Sequence, residues 1–166
     1  MTITGNQKEA SVLRDDVSEL SLSIILKYQE KLKHLSCLEK LNSENKSFLI
    51  SNEIEKLLDN LSEETHITEV INVIDFSLSE LITGLMKKFN RKFTDFDEVL
   101  ASYNNSTFNK ITNLRKQITS VLSDLRKTKD EIILALDAEM CKISKDEEEI
   151  KRIRYIYQTF PEIMEL

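Results

Sequence analysis

Residues 111–136 read ITNLRKQITSVLSDLRKTKDEIILAL, and apolar side chains recur in this stretch at every third or fourth position. Every seventh residue was read, starting once at Ile111 and once at Arg115. The two resulting series of positions, which continue to residue 160, are called the heptad columns. Apolar residues fill 11 of their 15 positions, whereas the overall hydrophobic content of 40% would fill about six. This spacing is typical of a coiled-coil helix, which we predict over 107–160, a length of roughly 75 Å.

The rest of the chain cannot bury the apolar side chains of a helix of this length, because the first helix that we predict reaches only about 45 Å. We therefore predict that another protein chain covers the apolar positions, which we call the C-terminal seam. The seam consists of Ile111, Ile118, Leu122, Leu125, Ile132, Leu136, Met140, Ile143, Ile150, Ile153, Tyr157 and Phe160. Charged residues at seam positions favour a hetero-oligomer over a homodimer, and they are Arg115, Lys129, Glu139 and Asp146.

The scarcity of turn residues extends the helical prediction to the whole chain. Only two glycines and one proline occur in 166 residues, although β-hairpins, sandwiches and phosphate-binding loops depend on these residues. We therefore predict an all-α fold, either an elongated helical hairpin or coiled coil, or a helical bundle with a long C-terminal helix.

Before residue 107 the pattern predicts a disordered tail over 1–10 and three helices, at about 11–41, 47–61 and 66–103. The polar clusters at 42–45 and 62–65 are the predicted breaks, because their side chains favour caps and turns. After Leu85 the apolar stripe shifts by one position, which indicates either a stutter or a break and restart. We interpret Gly84 as a small residue at a close helix contact, and Asn104–Thr107 as a loop with Ser106 or Thr107 capping the next helix.

The charge distribution is uneven. The net charge is −6, yet residues 84–129 carry ten basic and four acidic groups. This basic strip is either a solvated helix face or a docking strip for an acidic partner or a nucleic acid; the first is favoured, because the chain as a whole is acidic. The sequence begins without a signal-peptide pattern and holds no run of about 18 apolar residues. We therefore expect an intracellular protein of cytoplasm or nucleus that does not insert into a membrane.

No motif for catalysis or for cofactor binding occurs in the chain. His34 and Cys37 share a helix face, but zinc needs three or four ligands, and the remaining candidates, His66 and Cys141, are far away in sequence. The aromatic residues that follow Leu85 lie at helical spacing, which favours core packing over stacking on nucleic-acid bases. We expect no catalytic residues, no metal and no cofactor, and hence no enzyme.

In composition and helical periodicity the chain resembles the small helical subunits of kinetochore, spindle and tethering complexes. This resemblance implies a structural subunit that associates with other helical subunits. Two alternatives stay open. One is a self-contained four-helix bundle that binds a helical motif or a lipid, and the other is a nucleic-acid accessory factor that uses the 84–129 strip.

Overall fold

The computed structural model describes residues 4–89, 93–103, 105–140 and 147–159. These described residues are 93% helical and contain no strand. The five helices are α1 (Thr4–Ile50), α2 (Ile54–Lys88), α3 (Phe96–Ser102), α4 (Ser106–Met140) and α5 (Glu147–Thr159). The predicted all-α class is therefore confirmed, and it takes the form of a helical bundle in which α1, α2 and α4 pack against each other.

Helix α1 is longer than predicted at both ends. The tail predicted over 1–10 is helical from Thr4 onward, because no proline interrupts a helix that packing stabilises further along the chain. The break predicted at 42–45 is absent as well. Asn42 Nδ2 donates to Leu38 O at 3.1 Å, and Asn45 Nδ2 donates to side chains of other helices. These amides therefore find partners without ending the helix.

The chain instead turns at Ser51–Glu53. The Glu53 N–H donates to Phe48 O and the Asn52 N–H donates to Leu49 O, the bond pattern of a Schellman helix end. Asn52 has a φ of 58°, a left-handed conformation that asparagine tolerates better than most residues. This turn separates α1 from α2.

Helix α2 continues through residues 62–65, where a break was predicted. The Thr65 hydroxyl donates to Leu61 O, and the Thr68 hydroxyl donates to Glu64 O, so both threonines satisfy their side chains inside the helix. The helix ends at Lys88, and α3 begins at Phe96. Of the two possibilities left open after Leu85, the structure shows the break and restart.

The start of α3 and the start of α4 are both capped by side chains. Asp95 is the N-cap of α3 and accepts from the Glu98 N–H, while Glu98 accepts from the Thr94 N–H. A break separates α3, which ends at Ser102, from α4, which begins at Ser106, so Ser106 and Thr107 of the loop predicted over Asn104–Thr107 are helical. Asn104 lies outside the described residues. The cap of α4 is Asn105, whose Oδ1 accepts from the Phe108 N–H at 2.9 Å, rather than Ser106 or Thr107.

The single helix predicted over 107–160 is wrong. One continuous helix would hold residues 137 and 154 about 25 Å apart, whereas Arg154 Nε lies 3.2 Å from Asp137 Oδ1. Helix α5 therefore lies beside α4 instead of extending it. The heptad pattern stays in phase across residues 141–146, which lie outside the described residues, so the pattern alone did not reveal the change of direction.

The described residues form two compact units. Unit 1 takes its residues from Met1–Leu32 and Val73–Gln117, and unit 2 takes them from Lys33–Asn72 and Ile118–Glu165. The core of unit 1 is built from α1, α2, α3 and α4 and includes Ile24, Tyr28, Ile74, Leu78, Leu85, Val99, Phe108 and Ile111. The core of unit 2 is built from α1, α2, α4 and α5.

Candidate functional site

The C-terminal seam is buried by the chain itself. In unit 2, five of its members pack with three residues of α1 and α2; this cluster contains Leu49, Leu57, Leu61, Ile132, Leu136, Ile150, Ile153 and Tyr157. Ile118 and Leu122 are also buried in unit 2, Ile111 is buried in unit 1, and Leu125 is half-buried. The side chain of Met140, and residues Ile143 and Phe160, lie outside the described residues.

The expectation that another chain must cover the seam is therefore corrected for the buried members. Two features supply the cover that the sequence argument missed. Helix α1 continues to Ile50 and brings Leu49 to the cluster, and α5 packs beside α4 instead of projecting beyond it. The sequence offers only a weak signal for the second feature, namely that charged residues, Glu139 and Asp146, occupy two seam positions between the buried Leu136 and Ile150.

A buried polar cluster links three helices of unit 2. Asn45 of α1 donates to Glu64 Oε1 of α2 at 2.6 Å and to the Tyr157 hydroxyl of α5 at 3.0 Å. Glu64 is fully buried, and its Oε2 has no hydrogen-bond partner among the described residues. Burial raises the pKa of Glu64 to about 8, against a smaller lowering by the Asn45 hydrogen bond. Burial also raises the pKa of Tyr157.

Unit 1 contains a buried ion pair in place of such a cluster. Lys31 Nζ of α1 lies 2.6 Å from Asp75 Oδ1 of α2, and both side chains are almost completely buried. Burial raises the pKa of Asp75, and the neighbouring Lys31 opposes this shift. Nearby, burial raises the pKa of Tyr28 to about 12. These groups hold α1 and α2 in one register, and nothing in their geometry provides access for a substrate.

The most accessible apolar surface of unit 1 lies on α1 and α2. Leu22 and Leu26 of α1, and Val73 and Phe76 of α2, are between 55% and 67% exposed. A groove of about 520 Å³ runs between the two helices and is lined by Leu20, Ser23, Leu26, Lys27, Ser77, Glu80 and Leu81. Leu22, Val73 and Phe76 each precede a groove-lining residue by four positions, about one helical turn, and therefore share its face. We call these four side chains and the groove the α1–α2 face.

Two charged side chains line this groove, and only one of them forms an ion pair among the described residues. Lys27 Nζ lies 2.7 Å from Glu30 Oε2, so this cation already has an acidic partner. Glu80 is exposed, and none of the ion pairs within the described part of the chain involves it. The groove therefore presents an apolar floor with one uncompensated carboxylate.

The basic strip over 84–129 is partly neutralised within the chain. Lys88 lies 2.7 Å from Asp16, and Arg115 pairs with Asp97 and lies over the ring of Phe96. The aromatic residues of this region contact each other: the ring centroids of Phe89 and Phe93 each lie less than 6 Å from that of Tyr103, which also stacks on Phe108. These contacts agree with the core-packing interpretation of the aromatic residues.

The described residues among the candidate metal ligands form no metal site. Within the described residues no group of three or more His, Cys, Asp and Glu side chains is placed to hold a metal ion. Cys37 is a free, exposed thiol, and Cys141 lies outside the described residues.

Among the described helices, none combines the length and the apolar character that crossing a bilayer requires. No protein-family model matches the chain, and neither a curated protein nor a solved structure is significantly similar to it.

Proposed function

We propose that this chain is a non-enzymatic interaction protein, a helical bundle that binds a helix of another protein on the α1–α2 face. The observation that carries the proposal is the exposure of Leu22, Leu26, Val73 and Phe76 beside one groove. Contiguous exposed apolar surface on a protein of this size is typical of an interaction site. Amphipathic helices are common occupants of such grooves.

Association through helices, as the sequence predicts, remains the proposed mode of action, but the proposed binding surface is a different one. The C-terminal seam was the predicted interface, but its described members are mostly buried within the chain, so a partner would have to unfold the bundle to reach them. The self-contained bundle that binds a helical motif is now the favoured form of the hypothesis. Membership of a kinetochore, spindle or tethering complex stays a prediction that rests on resemblance alone.

Paired surface variants test the proposal. Leu26→Glu combined with Phe76→Glu places two charges on the α1–α2 face without touching the core. Leu134→Glu is the matched control, because Leu134 is 68% exposed and belongs to unit 2. Circular dichroism first verifies that all variants are folded, and cross-linking in extracts of the source cells then compares their partners.

We expect the wild-type chain and the Leu134→Glu control to cross-link to the same proteins, and the double variant to lose them. Each introduced carboxylate must be desolvated when a partner covers the face, which weakens binding. Retention of every partner by the folded double variant would show that the α1–α2 face is not the interaction site.

A further inference from the structure

We infer that the α1–α2 face binds a single amphipathic helix from a different protein, about three turns long, with a basic residue opposite Glu80. The inference rests on the proposed function and specifies its partner. It draws on the spacing of the exposed side chains, the area that they offer and the unpaired charge between them.

The length of the partner follows from the register of α1 against α2. The Lys31–Asp75 and Lys88–Asp16 contacts show that the two helices are antiparallel, with residue numbers at the same level summing to about 105. Phe76 therefore lies about one turn beyond Leu26 along α1, and Val73 lies about one turn further.

Along the groove the order of the apolar side chains is thus Leu22, Leu26, Phe76 and Val73, with one side chain per turn over about 16 Å. An amphipathic helix presents apolar residues at the same interval, at i, i+4, i+7 and i+11. The four exposed side chains therefore match one helix of about three turns that lies along the groove.

The area of the face argues against a second copy of this chain as the occupant. Four side chains of this type and exposure offer roughly 400 Å² of apolar surface, about half of the ~800 Å² per partner that a standard protein interface buries. A symmetric dimer through this patch would be weak. A single helix that enters the groove between α1 and α2 contacts the floor and both rims. It therefore buries more of this apolar surface than a second copy of the chain would.

The charge in the groove indicates the sign of the partner. Lys27 lines the same groove but is paired with Glu30, and no ion pair among the described residues involves Glu80. Glu80 lies on α2 at about the level of Leu26, near the middle of the apolar row. A partner helix with Lys or Arg beside its apolar stripe would neutralise this carboxylate, and a helix with Glu at that position would be repelled.

The chain contains its own example of a short amphipathic helix that completes a core. Helix α5 has 13 residues and buries Ile150, Ile153 and Tyr157, at positions i, i+3 and i+7, in the core of unit 2. Its exposed positions carry both signs of charge, with Glu148 and Glu149 beside Lys151 and Arg152. A short helix with three apolar anchors is therefore sufficient to complete a helical core of this type.

Synthetic peptides of 18 residues test the inference with the full-length chain. Three peptides are compared by fluorescence anisotropy: one with leucines at i, i+4, i+7 and i+11 flanked by lysines, one with the same leucines flanked by glutamates, and one lysine-flanked peptide with the leucines replaced by serine. The protein variants are Leu26→Glu with Phe76→Glu, Glu80→Lys, and the Leu134→Glu control. Light scattering measures the oligomeric state of each.

We expect the lysine-flanked leucine peptide to bind the wild-type monomer at 1:1, at least tenfold tighter than the other two peptides. The Leu26→Glu/Phe76→Glu variant should weaken this binding at least tenfold, and Leu134→Glu should leave it unchanged. Glu80→Lys should reverse the preference, so that the glutamate-flanked peptide binds better.

The other outcomes separate the two proposals. Equal binding of both leucine peptides, lost in the double variant, would overturn the charge and partner inference but keep the face as a helix-binding site. Binding that the double variant does not weaken would overturn both proposals. A wild-type dimer that the double variant dissociates would identify a second copy as the occupant and overturn the inference, as would the failure of every peptide to bind.

Discussion

In unit 2, Ile132 and Leu136 of α4 are completely buried under α5 and the adjoining turns of α1 and α2, whereas in unit 1 Leu26 of α1 and Phe76 of α2 are about two-thirds exposed. Unit 2 is built from four helices that include the 13-residue α5. Unit 1 combines three long helices with only the seven-residue α3. Unit 2 also exposes single apolar side chains, Leu134 and Tyr155 among them, but in unit 1 four such side chains lie beside one groove. The units therefore differ in how their exposed apolar side chains are grouped.

The two units also differ in the groups that surround a buried carboxyl group of α2. Asp75 in unit 1 faces the ammonium group of Lys31, while Glu64 in unit 2 accepts a hydrogen bond from the Asn45 amide and takes part in no ion pair among the described residues. A buried charge is tolerated when it is paired, and otherwise the group responds by holding its proton. The units should therefore respond differently to mutation and to pH.

The largest effect is expected in the core of unit 2. Ile132→Asp places a charge among Leu49, Leu57 and Ile153 and should lower the free energy of unfolding by about 4 kcal/mol. Leu134→Asp, two residues away and exposed, should change it by less than about 0.5 kcal/mol. Urea denaturation followed by circular dichroism measures both. Equal, small effects would show that Ile132 is not in an intramolecular core.

The next largest effect concerns the ion pair of unit 1. Lys31→Met leaves Asp75 buried without its cation and should cost about 3 kcal/mol of unfolding free energy. Adding Asp75→Leu should recover most of this loss, because two apolar side chains replace two charges. A double-mutant cycle in urea measures the recovery, and a double variant as unstable as Lys31→Met would contradict the ion-pair account.

Glu64 makes stability depend on pH. Its pKa is about 8 in the folded chain against 4.5 as the ordinary value, so between these pH values the folded state binds more protons than the unfolded state. The unfolding free energy should therefore fall as pH rises from 5 to 8, by up to about 1.4 kcal/mol per pH unit.

Glu64→Gln should remove most of this slope, and Glu63→Gln, which changes an exposed neighbour, should keep it. Urea denaturation at a series of pH values from 5 to 8 measures the slope for the wild type and both variants. If the pH dependence of the unfolding free energy is unchanged in Glu64→Gln, the Glu64 carboxyl group of the wild type is already ionised in the folded chain.

The smallest effect is expected at Gly84, where the sequence predicted a close helix contact. A Cβ added there would lie 3.9 Å from Leu20 Cδ2, an ordinary van der Waals distance. Gly84→Ala should therefore stabilise the chain by about 1 kcal/mol through helix propensity. A loss of stability in thermal unfolding would instead support the close contact.

Much of the fold could be predicted from local signals, and the long-range contacts could not. The shortage of glycine and proline gave the all-α class, and Asn104–Thr107 marked the start of α4 because four poor helix formers occur together. The same reasoning failed at Asn42–Asn45, where Asn45 makes its hydrogen bonds to Glu64 and Tyr157. These partners are 19 and 112 residues away, and a tertiary contact of this kind overrides a local preference.

The candidate site was missed for a related reason. The heptad columns identify residues that must be buried, but they do not say whether the same chain or another one buries them. The exposed residues of the α1–α2 face gave no periodic signal of their own, because Leu22 and Leu26 lie beside core residues on α1 and only the packing distinguishes them.

The central claim is that the C-terminal seam is the core of one chain and that the α1–α2 face is left for a different protein. Light scattering combined with urea denaturation across a hundredfold range of protein concentration tests it most directly. The account predicts the mass of a single chain and an unfolding midpoint independent of concentration. An oligomer whose midpoint rises with concentration, and which Ile132→Asp converts to folded monomers, would show that the seam joins separate chains.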